Sequence, residues 1–196
     1  MIYEVRLAES ERDLLRRLRG TLIESIWRDG WSSLICLPAE TIVQIVPDEI
    51  PTPGPFHPYA DVTRPRVIHG EHQPLGGAEL VARALGRVRS IAVLEAQLFF
   101  SSPRYAPSID ILGVSIPEGV EYGPVFLDGP ACSAPANDDF APLVRLDIAF
   151  ELSTDLDHTV TFYTNAVGYF VRVAVDDRLP AELAGVVRRV ALDGDW

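Results

Sequence analysis

Val144-Arg145-Leu146-Asp147-Ile148-Ala149-Phe150-Glu151-Leu152 is the stretch whose reading decides the fold. Apolar side chains fall at every second position, with polar or small ones between. That is the two-residue period of a strand with one face in a core and the other toward water. It indicates antiparallel sheet, because parallel strands are covered on both faces and read as unbroken apolar runs. Val160–Thr164 and Tyr169–Val175 carry similar strand character. Joined through the polar segments 153–158 and 165–168, the three predict a meander.

Working outward, a second meander is expected near the N-terminus. Asp29-Gly30 is a hairpin turn signal flanked by β-forming residues. A three-residue loop, Arg28-Asp29-Gly30, would set Trp27 opposite Trp31 and Ile23 opposite Ile35. A two-residue loop would set Trp27 opposite Ser32, losing an aromatic cross-strand pair. Helical spacing also runs through Leu22, Ile26 and Trp27, so 21–28 reads either way. Thr41–Val46 supplies the third strand.

Helices are few and peripheral. Ser10 and Asp13 resemble a capping box ahead of Leu14, Leu15 and Leu18, which share one helical face. Ala78–Leu85 reads as a short helix leading into a long strand over Val88–Phe100. Further strands are expected at Ile109–Ile116 and Val125–Leu127. Pro180 opens a final helix with Leu183, Val186, Val187 and Val190 on one face. No βα alternation and no GxGxxG is present. The fold class expected is α+β, mainly antiparallel sheet built from two meanders, with short N-terminal, middle and C-terminal helices.

Residues 1–196 are expected to form a single domain, interrupted by a long proline-rich ordered loop at about 47–77. Pro47, Pro51, Pro53, Pro55, Pro58, Pro65 and Pro74 fall there. Proline removes a donor and restricts its predecessor, so neither a helix nor an interior strand is expected. Phe56, Tyr59, Val62, Val67 and Ile68 give the loop apolar groups with which to pack.

Composition excludes whole classes of chemistry. The chain has 17 arginines and no lysine. A Gly-Lys-Ser/Thr phosphate loop, a lysine Schiff base and a kinase-type lysine are therefore closed to it. The scarcity of lysine and asparagine fits GC-rich coding and is read as bacterial. Net charge is −11, with 11 arginines against 13 acids in residues 1–100 and 6 against 15 in the remainder. Such an acidic balance argues against nucleic acid and suits a basic protein partner. No apolar run approaches membrane-span length, and Cys36 and Cys132 lack metal-ligand spacing, so a cytoplasmic location is expected.

Three constellations could carry chemistry. His57, Asp61, His69 and His72 gather imidazoles and a carboxylate in the proline-rich segment. They are the catalytic candidates, with His69, Glu71 and His72 as the candidate set for a zinc-like metal. No cofactor is otherwise expected. Arg64 and Arg66, stiffened by Pro65, are the anion-binding candidates because two spaced guanidinium forks match a carboxylate or phosphate. Asp155, Asp157 and His158 occupy a turn without the glycine and closing glutamate of a calcium loop.

No family resemblance is carried by these residues. The function expected is a non-catalytic acidic interaction or adaptor protein of immunity-like type. The alternatives are a metal-dependent or His/Arg-based hydrolase or lyase with its site at 57–72, and a homo-oligomeric structural protein, for example a homodimer, burying Trp27 and Trp31.

Overall fold

The computed structural model describes residues 2–51, 61–71, 74, 76–100, 109–111, 114–116, 124–126, 143–164, 170–176 and 187–192. In chain order the elements are β1 (Ile2–Val5), α1 (Glu9–Arg17), β2 (Leu22–Asp29), β3 (Ser32–Cys36), β4 (Ile42–Pro51), β5 (Asp61–His69) and β6 (Glu79–Phe100). They continue as β7 (Ile109–Ile111), β8 (Val114–Ile116), β9 (Pro124–Phe126), β10 (Leu143–Thr154), β11 (Thr159–Tyr163), β12 (Arg172–Val175) and β13 (Val187–Ala191). Among the described residues α1 is the only helix, and the architecture is mostly antiparallel sheet.

The strands follow one path, β12-β11-β10-β6-β2-β3-β4-β5, with β1 added in parallel to β10 and with β9 and β13 added to β6. β7 and β8 form a hairpin of their own. On this path β2, β3 and β4 are linked to β10, β11 and β12 through β6, so the strands form one connected sheet path. A straight strand of the 22 residues of β6 would extend about 70 Å. A domain of this length has a radius of gyration of only about 16 Å. β6 therefore bends, at Ala84 and Gly86, which both take positive φ. Its first part pairs with β2 and its second with β10. The expected helix over Ala78–Leu85 is thus strand: Ala, Leu, Glu and Arg favour helix locally, but pairing with β2 overrides that preference. Val187 and Val190 also lie in strand rather than in a C-terminal helix, while Pro180 and Leu183 fall outside the described residues.

The bend folds the path into two facing layers. Val171 N–H donates to Trp31 C=O at 3.0 Å, and Thr164 Oγ1 donates to Thr63 C=O at 2.7 Å, joining the layers. Ile23, Ile26, Ile35 and Ile45 face Phe150, Leu152, Phe162 and Ile91 in one core. Phe150 and Phe162 are cross-strand partners whose rings stack at 5.1 Å. Leu14, Leu15 and Leu18 bring α1 into the same core.

Two local corrections matter for the site. The β2–β3 turn is shorter than expected: Asp29 pairs with Ser32 and Trp27 with Leu34, leaving Gly30 and Trp31 as the loop. Gly30 takes φ +58, which a tight turn of this kind requires. Trp31 is thereby at the tip, not across from Trp27.

The described part of the proline-rich segment is, in turn, mostly strand, in the paired ends of β4 and β5. Pro47 pairs with Pro65, and Pro51 pairs with Asp61. Val67 N–H points away from β4, to Glu11, so Pro65, two residues earlier, would point its missing donor off the sheet edge. Pro47 lies beyond the last β3 pairing at Ile45. At such positions proline removes no ladder bond. Pro53, Pro55 and Pro58 lie outside the described residues.

Candidate functional site

Helix α1 is fastened to both layers by buried acids. Its N-cap is Ala8 and the third helical residue is Glu11, a one-sided capping box rather than the Ser10–Asp13 pair expected from sequence. Glu11 accepts from Ala8 N–H at 2.6 Å, from Val67 N–H at 3.0 Å and from Arg64 Nη1 at 2.9 Å. The other fork of Arg64 meets its cross-strand partner Asp48 at 2.8 Å.

On the opposite layer Asp147, only 1% exposed, accepts from Leu7 N–H at 2.8 Å and from Arg6 Nη1 at 2.9 Å, with Arg12 at 3.4 Å. Burial alone would lower the Arg6 pKa, but hydrogen bonds and charge from Asp147 and Glu95 outweigh it and hold it above the ordinary value. Asp147 reaches this position through a bulge in β10. Register slips between Asp147 and Ala149, so Asp147, opposite Glu95, shares a face of β6 with Phe150, opposite Val93.

Further along α1 a groove opens. A cavity of about 420 Å³ lies between α1, the β3–β4 turn and the β6 bend, with Leu18, Leu37 and Arg87 in its wall. A second, of about 410 Å³, continues along β5 past Ser10 and Val67. Leu14, Arg17 and His69 line both. Arg87 is placed by the bend itself. Asp155 Oδ1 accepts its backbone N–H at 2.7 Å, and its Nη1 donates to Gly20 C=O at 3.0 Å. A Cβ on Gly86 would run into Asp155 Oδ1 and sit 2.8 Å from Leu156 Cγ at a backbone φ of +92, so any side chain here strains the turn and displaces those two neighbours. Arg17 is exposed and has no acid partner among the described residues.

The sequence candidates are separated by this arrangement. His69 lines the groove. Arg64 is buried and held by Glu11 and Asp48, while Arg66 is exposed two residues on. His69 differs from both in strand parity and so faces the other side of β5. Asp61 opens β5, and Glu71 follows the strand and has a partner. His57 and His72 lie outside the described residues, as does Cys132. Among the described residues no three His, Cys, Asp or Glu side chains gather as a metal site. His158 Nδ1 meets Asp176 Oδ2 at 2.6 Å, and Asp155 caps the β6 bend, so this turn serves structure.

The chain matches no family model, no curated protein and no solved structure.

The other prominent surface feature is aromatic. Trp31, 62% exposed, meets Phe170, 52% exposed, edge to face with ring centroids 6.1 Å apart. The Val171–Trp31 main-chain bond fixes the two segments that carry them. No helix of the described residues is long and apolar enough to cross a membrane. Sequence reasoning missed Arg17 and Arg87. The one available signal was that Arg17 follows Leu14 by three residues and so borders the buried stripe of α1.

Proposed function

We propose that this chain is a non-catalytic acidic interaction protein of the cytosol that docks a basic protein partner through Trp31 and Phe170. The observation that carries the reading is the exposed aromatic pair. Two large rings stand in solvent, held in one geometry by the chain's own backbone. Rigid aromatic anchors of this kind dominate protein interfaces because they bury much area with few rotatable bonds. The net charge of −11 supports a basic partner, steering it toward the surface and setting a salt dependence.

The test compares wild type with the Trp31→Ser/Phe170→Ser double variant as bait in extract of the source cells. The reading expects a basic protein retained by wild type, released by raised salt and absent from the variant. Equal retention by both baits overturns it. The same pair also suits a homodimer. Light scattering at micromolar concentration separates the two, since a dimer that becomes monomeric in the variant favours the second copy.

A further inference from the structure

We propose that the groove between α1 and the end of β5 binds a small amphipathic anion, a carboxylate or phosphate head on an apolar body. The inference is independent of the aromatic pair, which lies in a different part of the chain.

Three observations converge on it. First, each of the adjoining cavities, at about 410–420 Å³, falls in the size range of small-molecule sites. Second, in a chain of net charge −11 this concavity is bordered by Arg17, Arg87 and the His69 imidazole, and its one lining acid, Asp13, is neutralised by Arg16 at 2.7 Å. With no lysine in the sequence, any anion held by side-chain cations must be held by groups such as these, and a guanidinium fork matches carboxylate and phosphate alike. Third, the floor between them is aliphatic, made by Leu14, Leu18 and Leu37. Cations at the rim and leucines below fit a ligand with one charged end and one apolar end.

The arrangement is also prepared in advance. Arg87 is anchored through its backbone to Asp155 and through its side chain to Gly20, which leaves little rotamer freedom to lose on binding. Arg17 extends from the last turn of a helix whose other end is locked by Glu11 and Asp147. Size argues against a peptide. The nine residues of α1 extend about 14 Å, which matches only about four residues of extended chain.

Isothermal titration with octanoate, octyl phosphate and the neutral octanol tests the proposal on the full chain. Saturable one-to-one binding of octanoate or octyl phosphate is expected, and the tighter of the two identifies the head group. Octanol should bind at least about tenfold more weakly, since it lacks the charge-assisted bonds. Arg17→Ala should weaken anion binding by about tenfold or more. Arg28→Ala, which removes a surface cation paired with Glu79 and lining neither cavity, should leave it unchanged. Arg17 is exposed and without an acid partner among the described residues, so circular dichroism of its variant should match wild type. Failure of both anions to bind saturably overturns the proposal, as does equal affinity for octanol or for the Arg17→Ala protein.

Discussion

Within α1 the chain places its charges in two opposite settings. At the N-terminal end Glu11 is buried against Arg64, and every oxygen of its carboxylate accepts a hydrogen bond. At the C-terminal end Arg17 stands at the wall of a groove with no acid partner among the described residues. Both are charged side chains of one helix, and the outcomes differ because of what the sheet presents to each. Alongside Glu11 it presents a buried guanidinium and the edge N–H of Val67. Beside Arg17 it presents His69 and a second arginine. One end of the helix is closed by electrostatics, and the other is left electrostatically open.

Arg64→Ala attacks the closed end and should have the largest effect. It strands Glu11 and Asp48 with no guanidinium between them, a loss of about 3–5 kcal/mol of unfolding free energy in urea titration. Arg64→Lys should recover only part of it, because a single ammonium cannot fork between two carboxylates on different elements. A loss below about 1 kcal/mol for Arg64→Ala would mean that the closed end is no more committed than the open one.

Gly86→Ala comes next, at about 2–4 kcal/mol in the same measurement, from a side chain at positive φ driven into Asp155 and Leu156. It bears on the open end, because the β6 bend delivers Arg87 to the groove. Any folded fraction should therefore also bind octanoate or octyl phosphate more weakly. Arg17→Ala should change stability by less than about 0.5 kcal/mol. A large loss there would erase the distinction between the two ends.

The sequence made the sheet-rich class legible through β10, yet its clean alternation hid the feature that matters. The bulge at Ile148 turns Asp147 onto the face of Phe150, and a binary pattern does not report a bulge that falls on one of its own apolar positions. The β4–β5 pairing of the proline-rich segment was missed for a related reason. Composition counts prolines, whereas a ladder cares only on which side each missing N–H would lie, and Pro47 and Pro65 lie on the harmless side. The Ala78–Leu85 strand was hidden by residues with good helix propensity, overridden by non-local pairing with β2. At the site, His69 was legible as a chemistry-bearing residue. Its companions Arg17 and Arg87 come from elements far away in sequence, and no local spacing links them.

The smallest effect expected lies in a third setting, an acid paired at the surface. Asp176 is exposed, and its carboxyl is held below the ordinary carboxylate range, first by the Thr159 N–H it accepts at 2.9 Å and second by His158 at 2.6 Å. A folded-state value below the unfolded one means that the native state binds its proton later as pH falls. The contribution is therefore complete above the unfolded carboxylate pKa, about 4, and disappears as pH falls through the lower folded value. Asp176→Asn keeps an oxygen for Thr159 and removes the charge. The urea midpoint of wild type should exceed that of the variant at neutral pH, and the gap should close under acid. A gap that widens instead would mean that the proton, not the charge, stabilises this turn. Solvent screens this pair, as it does not screen Glu11 with Arg64. Hence the same carboxylate chemistry that locks one end of α1 merely trims the pH dependence at the β11–β12 edge.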